Sequence, residues 1–225
     1  PIQGEGGDNH FRKEFFQQLR TLADENDIML MLHTMQTVMV PTGKMWCYEH
    51  FGVQPDMVAF GKKTQVCGFM CSKRIDEAEN NVFHESSRIN STWGGNLVDM
   101  VRFRKYLEVI VTEKLVENAA QVGRYFLDEL RNLAGEFPGQ ITNVRGRGLM
   151  LAFDLPDGER RDAFLRVAYQ HGMIALGCGP RSIRFRPALN FSRELVDEAI
   201  RVTRETLGEV LGTAATHAHS AAVQS

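Results

Sequence analysis

Lys62 follows the apolar run DMVAF (56–60) and a single glycine. A short continuous run of that kind reads as a buried parallel strand. Its C-terminal end is the edge at which open α/β sheets bind ligands. Taking an ammonium out of water there lowers its pKa and frees a nucleophilic amine, the group that Schiff-base chemistry requires. A solvated loop lysine would stand at the same place, and position alone does not distinguish Lys63 beside it. Thr92 lies in SRINSTWGGN (87–96), where hydroxyls, an amide and two glycines precede a helical pattern. The free N–H groups of a helix N-terminus suit an anion; an ordinary capping loop has the same composition. Arg184 and Arg186 alternate with Ile183, Phe185 and Pro187, so both arginines share one strand face. Their fork-shaped guanidinium groups suit a carboxylate, and a solvated face would look alike. Glu5 stands among Gly4, Gly6 and Gly7. Glycines let the chain turn sharply and present a side chain in a cleft; a surface turn is the alternative.

The elements that must position these residues alternate between helical and strand patterns. Phe11, Phe15, Leu19 and Leu22 recur at helical spacing, with Asp8 or Asn9 able to cap the start. IMLML (28–32) reads as a buried strand ending at His33, a short helix follows over 44–50, and CGFMC (67–71) reads as a strand after DMVAF. From Asn96 to about Phe137 the pattern is helical and too long for one ordinary helix, so a break is expected near Thr112. GLMLAFDL (148–155) is strand-like, RRDAFLRVAYQHG (160–172) helical, and 173–176 and 182–186 are short strands. RGRG (145–148) reads as a turn before a strand. Ser192 caps a last helix to about Leu211, and the small, polar residues 212–225, with His217 and His219, read as a disordered tail without metal ligands. The sequence thus predicts an α/β layer, a long helical stretch and a smaller α+β unit.

The 225 residues are 43% hydrophobic and 24% charged, which are globular values. A formal net charge of −2, from 26 basic and 28 acidic residues, points away from nucleic acid and anionic membranes. No apolar run approaches the roughly 18 residues of a membrane span, and the first residues carry no secretory pattern. Cys47, Cys67, Cys71 and Cys178 are too few and too irregular for a disulfide scaffold or a structural metal site, and are expected as reduced thiols.

The stretches PIQGEGGDNHFR, PDMVAFGKKTQVCG, NSTWGGNLVDMVR, RGRGLM and IRFRP together resemble the class III pyridoxal-phosphate-dependent aminotransferases. FGKKTQVCG and NSTWGGN are the most specific in combination, and the resemblance runs from Pro1 to about Leu207. It implies fold type I. The expected ranges are 1–108 for the C-terminal part of the large, parallel-sheet domain, 109–211 for the small C-terminal α+β domain and 212–225 for the tail. It implies pyridoxal 5'-phosphate as cofactor, with Lys62 and not Lys63 as the lysine that holds it. Thr92 looks like the threonine that binds the cofactor phosphate across a dimer interface, and Gln36 like a glutamine near the ring oxygen. Arg184 looks like the substrate-carboxylate arginine, and Glu5 like the glutamate that switches its availability. The implied activity moves the terminal amino group of L-lysine to 2-oxoglutarate, in a cytoplasmic homodimer with amino-acid and 2-oxo-acid substrates. Another ω-aminotransferase, for 4-aminobutyrate or ornithine, and a non-catalytic remnant are the alternatives.

Two departures bear on that expectation. The family needs a further N-terminal region of comparable size, so a fragment is expected. HTMQTVMVPTG (33–43) replaces the pattern D-E-V-Q-T-G-x-G-x-T-G: Gln36, Thr37, Thr42 and Gly43 match, but His33 stands where an aspartate pairs with the protonated ring nitrogen. That ion pair makes the ring an electron sink, and an imidazole brings no negative charge. Removing one partner of a buried pair costs on the order of 3–5 kcal/mol. If about 3 kcal/mol reached the transition state, the rate would fall roughly a hundredfold. The sequence therefore predicts a weak or inactive chain as written.

Overall fold

The computed structural model describes the backbone of residues 1–222 and the side chains of residues 1–211. The chain is mixed α/β and forms two compact units: Pro1–Ile2 with Phe11–Val116, and Gln3–His10 with the residues from Glu117 onward. The two-residue strands β1 (Ile2–Gln3) and β2 (Asn9–His10) bracket the glycine-rich turn.

The first unit is built on α1 (Lys13–Glu25) and the strands β3 (Met31–His33), β4 (Met57–Phe60) and β5 (Gly68–Cys71) in the order β3-β4-β5. β3 and β4 are parallel, with His33 opposite Ala59, whereas β5 returns antiparallel to β4. The short connection after Phe60 dictates that return, since a parallel partner needs a crossover of a dozen or more residues. The strands read as buried are only half so: Leu32 and Val58 are buried, but Met31 and Met70 are exposed. Helix α1 likewise buries Phe16 and Ala23, while Phe11, Phe15 and Leu22 of the expected apolar face stand exposed. Its N-cap is Arg12, without a side-chain cap; Asp8 and Asn9, either of which was expected there, bond elsewhere. The expected short helix is a 3-10 turn over Cys47–Phe51. Helix α2 (Leu97–Thr112), capped by the Asn96 side chain on the Val98 amide, lays Phe103 on Phe60 of β4 with ring centroids 6.2 Å apart.

The break expected near Thr112 is there: α2 stops, Lys114 adopts a positive φ of 51°, and α3 (Leu115–Glu136) begins. In the second unit, β6 (Thr142–Arg147), β7 (Met150–Asp154), β8 (Leu176–Cys178) and β9 (Ser182–Phe185) make an antiparallel sheet in the order β6-β7-β9-β8. Residues 145–147, read as a turn, are the end of β6, and the turn is at Gly148 and Leu149. The strand expected at 173–176 begins only at Leu176. All five residues of β7 and all four of β9 are buried. Phe126, Leu130 and Leu133 of α3, Phe164 of α4 (Gly158–Gln170) and Val196, Ile200 and Leu207 of α5 (Arg193–Ala222) are buried with them. Ser192 accepts from the Leu195 amide at the start of α5, as a cap should. The backbone of that helix continues to Ala222, within the residues 212–225 expected as a tail; residues 223–225 lie outside the described ones.

Candidate active-site residues

In the first unit the β3–β4 register puts His33 and Lys62 at one sheet edge. Thr34, directly after His33, donates its amide (3.0 Å) and hydroxyl (2.8 Å) to the Ala59 carbonyl. This ties the turn carrying Gln36 to the strand that delivers the lysine. Lys62 opens a 3-10 turn (Lys62–Thr64) with a φ of 56°, a left-handed conformation unusual for a residue with a side chain. Such strain belongs where the surroundings over-determine a position, as active sites do. Gly61 before it leaves no room for a side chain: a Cβ there would lie 2.7 Å from Met35 Sδ and 3.0 Å from Cys67 Sγ.

Lys62, His33 and Thr92 are exposed and Gln36 is half-buried, and none of the four side chains hydrogen-bonds to a described residue. The desolvation that the strand-end argument invokes for Lys62 is therefore not supplied by the described residues. A buried sheet edge was inferred from apolar runs, and these strands are half-exposed. Thr92 lies four residues before the N-cap of α2. The open groups are an amine, a carboxamide, an imidazole and a hydroxyl beside a helix N-terminus. That donor set fits a phosphorylated aldehyde in its amine, amide and hydroxyl. His33 is the member of the set that departs from expectation, because an imidazole brings no negative charge to pair with a protonated ring nitrogen.

In the second unit the structure brings Glu5 and Arg184 together. Arg184 Nη2 donates to Glu5 Oε1 at 2.6 Å, from a guanidinium side chain 10% exposed to a carboxylate side chain 72% exposed. Arg184 Nε is buried and finds no acceptor among the described residues. Arg186, expected on the same strand face but lying just past the end of β9, donates instead to Asp8, which is wholly buried. Burial pushes the Asp8 carboxyl up, but the His10 imidazole 3.7 Å away and the charge and hydrogen bond of Arg186 outweigh it and hold it below the usual carboxylate range. Arg145 completes the arrangement. It donates to the carbonyls of Gly7 and Asp8, to Ser182 Oγ (3.0 Å), and pairs with Asp154 at 2.8 Å. Sequence reasoning did not find Asp8 and Arg145. The signal available was a carboxylate inside GGDN, too polar to be buried without a cation.

A profile of the class III aminotransferases matches residues 1–207. The L-lysine-epsilon aminotransferase of Streptomyces clavuligerus is 51% identical over 93% of this chain, and that of Mycobacterium tuberculosis strain H37Rv is 51% identical over 92%. The chain covers 46% of each, and so spans about half the length of these curated relatives. Among solved structures, a lysine aminotransferase from M. tuberculosis in the internal aldimine form superposes with a TM-score of 0.90 at 51% identity, over 93% of this chain and 48% of that one.

Proposed function

The chain belongs to the class III aminotransferase family. From that premise we propose that, within the whole protein, it moves the terminal amino group of L-lysine to 2-oxoglutarate, giving glutamate and 2-aminoadipate semialdehyde, with pyridoxal 5'-phosphate as cofactor. The reading is carried by Lys62, a lysine at the end of a strand in a parallel pair, in a strained backbone conformation and with its amine uncommitted. The 51% identity to proteins named for L-lysine supports the choice of amino donor.

When bound, the cofactor supplies an aldehyde that condenses with amines and a ring that takes up the electron pair released at the substrate carbon. Lys62 Nζ would be the amine that holds it, and the same amine would accept and return the proton at the reacting carbon. Thr92 and the N-terminus of α2 would bind its phosphate, in this reading from a partner subunit, and Gln36 would donate toward its ring. Arg184 binds the carboxylate of the 2-oxo acid, and Glu5 covers that arginine while the amino donor is bound. We further propose a cytoplasmic homodimer without nucleic-acid or membrane partners. The exposed Trp93, Leu97, Val98 and Val101 beside Thr92 support an apolar interface there, and the net charge of −2 speaks against polyanions.

Borohydride reduction of the cofactor-loaded full-length protein tests the reading. The label is expected on Lys62, to persist in Lys63→Ala and to vanish in Lys62→Ala. Label on another side chain would overturn it.

A further inference from the structure

Two ion pairs join the turn Gly4–Asp8 to β9 and the residue that follows it: Glu5 to Arg184, and Asp8 to Arg186. The carboxylates are three residues apart on a turn; Arg184 lies within β9 and Arg186 directly after its end. The backbone between the two acids is held throughout. The Gly4 carbonyl accepts from the amides of Gly7 (3.3 Å) and Asp8 (2.9 Å). The Glu5 carbonyl accepts from the Gly179 amide at 2.8 Å, and that of Gly6 from Asn9 Nδ2 at 3.4 Å. Arg145 takes the carbonyls of Gly7 and Asp8. Gly179 itself has a φ of +53°, and a Cβ on it would come within 2.8 Å of Gly7 Cα, so the turn is seated against backbone. Every carbonyl from Gly4 to Asp8 is thus bonded, while the Glu5 side chain is largely exposed.

We propose that Asp8 and Arg186 are positioning residues for the Glu5–Arg184 pair. Their buried contact, with Arg145 on the turn's carbonyls, fixes the Glu5 backbone so that Arg184 is uncovered by rotation of the Glu5 side chain alone. This rests on the reading of Arg184 as the carboxylate-binding arginine. Asp8 and Arg186 need not touch substrate; they set how often Glu5 stands over Arg184, and so which amino donor the site favours. L-lysine reacts with the pair closed, glutamate with it open.

The test is the ratio of kcat/KM for L-lysine to kcat/KM for glutamate, in full-length protein, for wild type, Glu5→Gln, Asp8→Asn and the double variant. Each ratio is taken within one preparation, so the fraction folded divides out. Glu5→Gln is expected to lower the ratio about tenfold; Asp8→Asn lowers it about fivefold alone and less than about twofold in the Glu5→Gln background. A ratio unmoved by Asp8→Asn, or moved equally in both backgrounds, overturns the positioning role and leaves the function standing. A ratio unmoved by Glu5→Gln overturns the assignment of the switch and the inference with it. Hydrogen exchange at the Gly7 and Asp8 amides decides the matter where turnover is too low to measure. Faster exchange in Asp8→Asn but not in Glu5→Gln supports the proposal, and exchange in Asp8→Asn equal to wild type refutes it.

Discussion

Asp56 immediately precedes β4, the strand that delivers Lys62, and its replacement by alanine tests how that strand is held. Asp56 Oδ2 accepts from Arg20 Nη1 of α1 at 2.8 Å, from the Leu30 amide ahead of β3 at 2.7 Å and from Arg74 Nη1 at 3.4 Å, with its side chain 9% exposed. Alanine strands the Leu30 amide, and a lost hydrogen bond to a charged group is worth about 1.5–3 kcal/mol. Breaking a buried ion pair from one side costs about 3–5 kcal/mol when the other charge is left alone. Here it is not: Arg20 keeps Asp24 at 2.6 Å and Arg74 keeps Asp27 at 2.6 Å, both acids being exposed. The expected destabilisation of Asp56→Ala is therefore about 2–3 kcal/mol, or about 4–12 °C in Tm for a chain of this size. The pH dependence has a definite sign. Burial pushes the Asp56 carboxyl up, but the Arg20 hydrogen bond, the Leu30 amide and the charges of Arg20 and Arg74 outweigh it, so its folded pKa is lowered. A carboxyl with a lowered folded pKa contributes stability that is present above the unfolded value of about 3.9 and is lost as pH falls through the folded value. Urea unfolding of wild type and Asp56→Ala should show the full gap at about pH 7 and a narrower one at about pH 3. Equal midpoints at neutral pH, or a gap of the same size in acid, would refute the reasoning.

Two further outcomes are expected. His33→Asp restores a negative charge at the end of β3 and should raise kcat of the full-length protein about ten- to a hundredfold; an unchanged rate would mean that His33 does not limit turnover. Gly123→Ala places a Cβ 2.1 Å from the Gly148 carbonyl carbon, a backbone atom that cannot rotate away. It should destabilise by about 3 kcal/mol or more, and a wild-type unfolding midpoint would contradict the packing of α3 on the β6–β7 turn.

Much of this was legible in the sequence, for physical reasons that differ by residue. The run at 148–155 is continuous and apolar because β7 is buried on both faces, and period and burial agree there. The short strand carrying Arg184 is found at Ser182–Phe185, one residue short of the expected 182–186, because its alternating pattern is local geometry. What failed was non-local. Asp8 has the composition of a helix cap, yet its partner lies 178 residues on, and no spacing rule reaches that far. The apolar runs of β3 and β4 predicted burial and hence a desolvated Lys62. Whether a sheet edge is covered depends on what packs over it, and among the described residues Met31 and Lys62 stand exposed. The grouping of residues 3–10 with the second unit is likewise non-local: the two ion pairs, Arg145 and the Gly179 amide all reach this turn from far along the chain.

The two ion pairs on that turn differ in burial, and the difference bears on what each can do. A switch that must open once per catalytic cycle has to be inexpensive to open. The Glu5 carboxylate is 72% exposed, although the Arg184 side chain is 10% so, and water can solvate the carboxylate as it turns away, which makes its departure less costly than separating a fully enclosed pair. Were Glu5 enclosed as Asp8 is, separation would cost about 3–5 kcal/mol and slow each opening roughly a hundredfold or more. Conversely, a turn anchored only by exposed pairs would drift with the side chain it carries, and Glu5 would return to Arg184 imprecisely. Exposure at Glu5 and enclosure at Asp8 are therefore complementary requirements, met three residues apart by placing one carboxylate toward solvent and the other against the sheet.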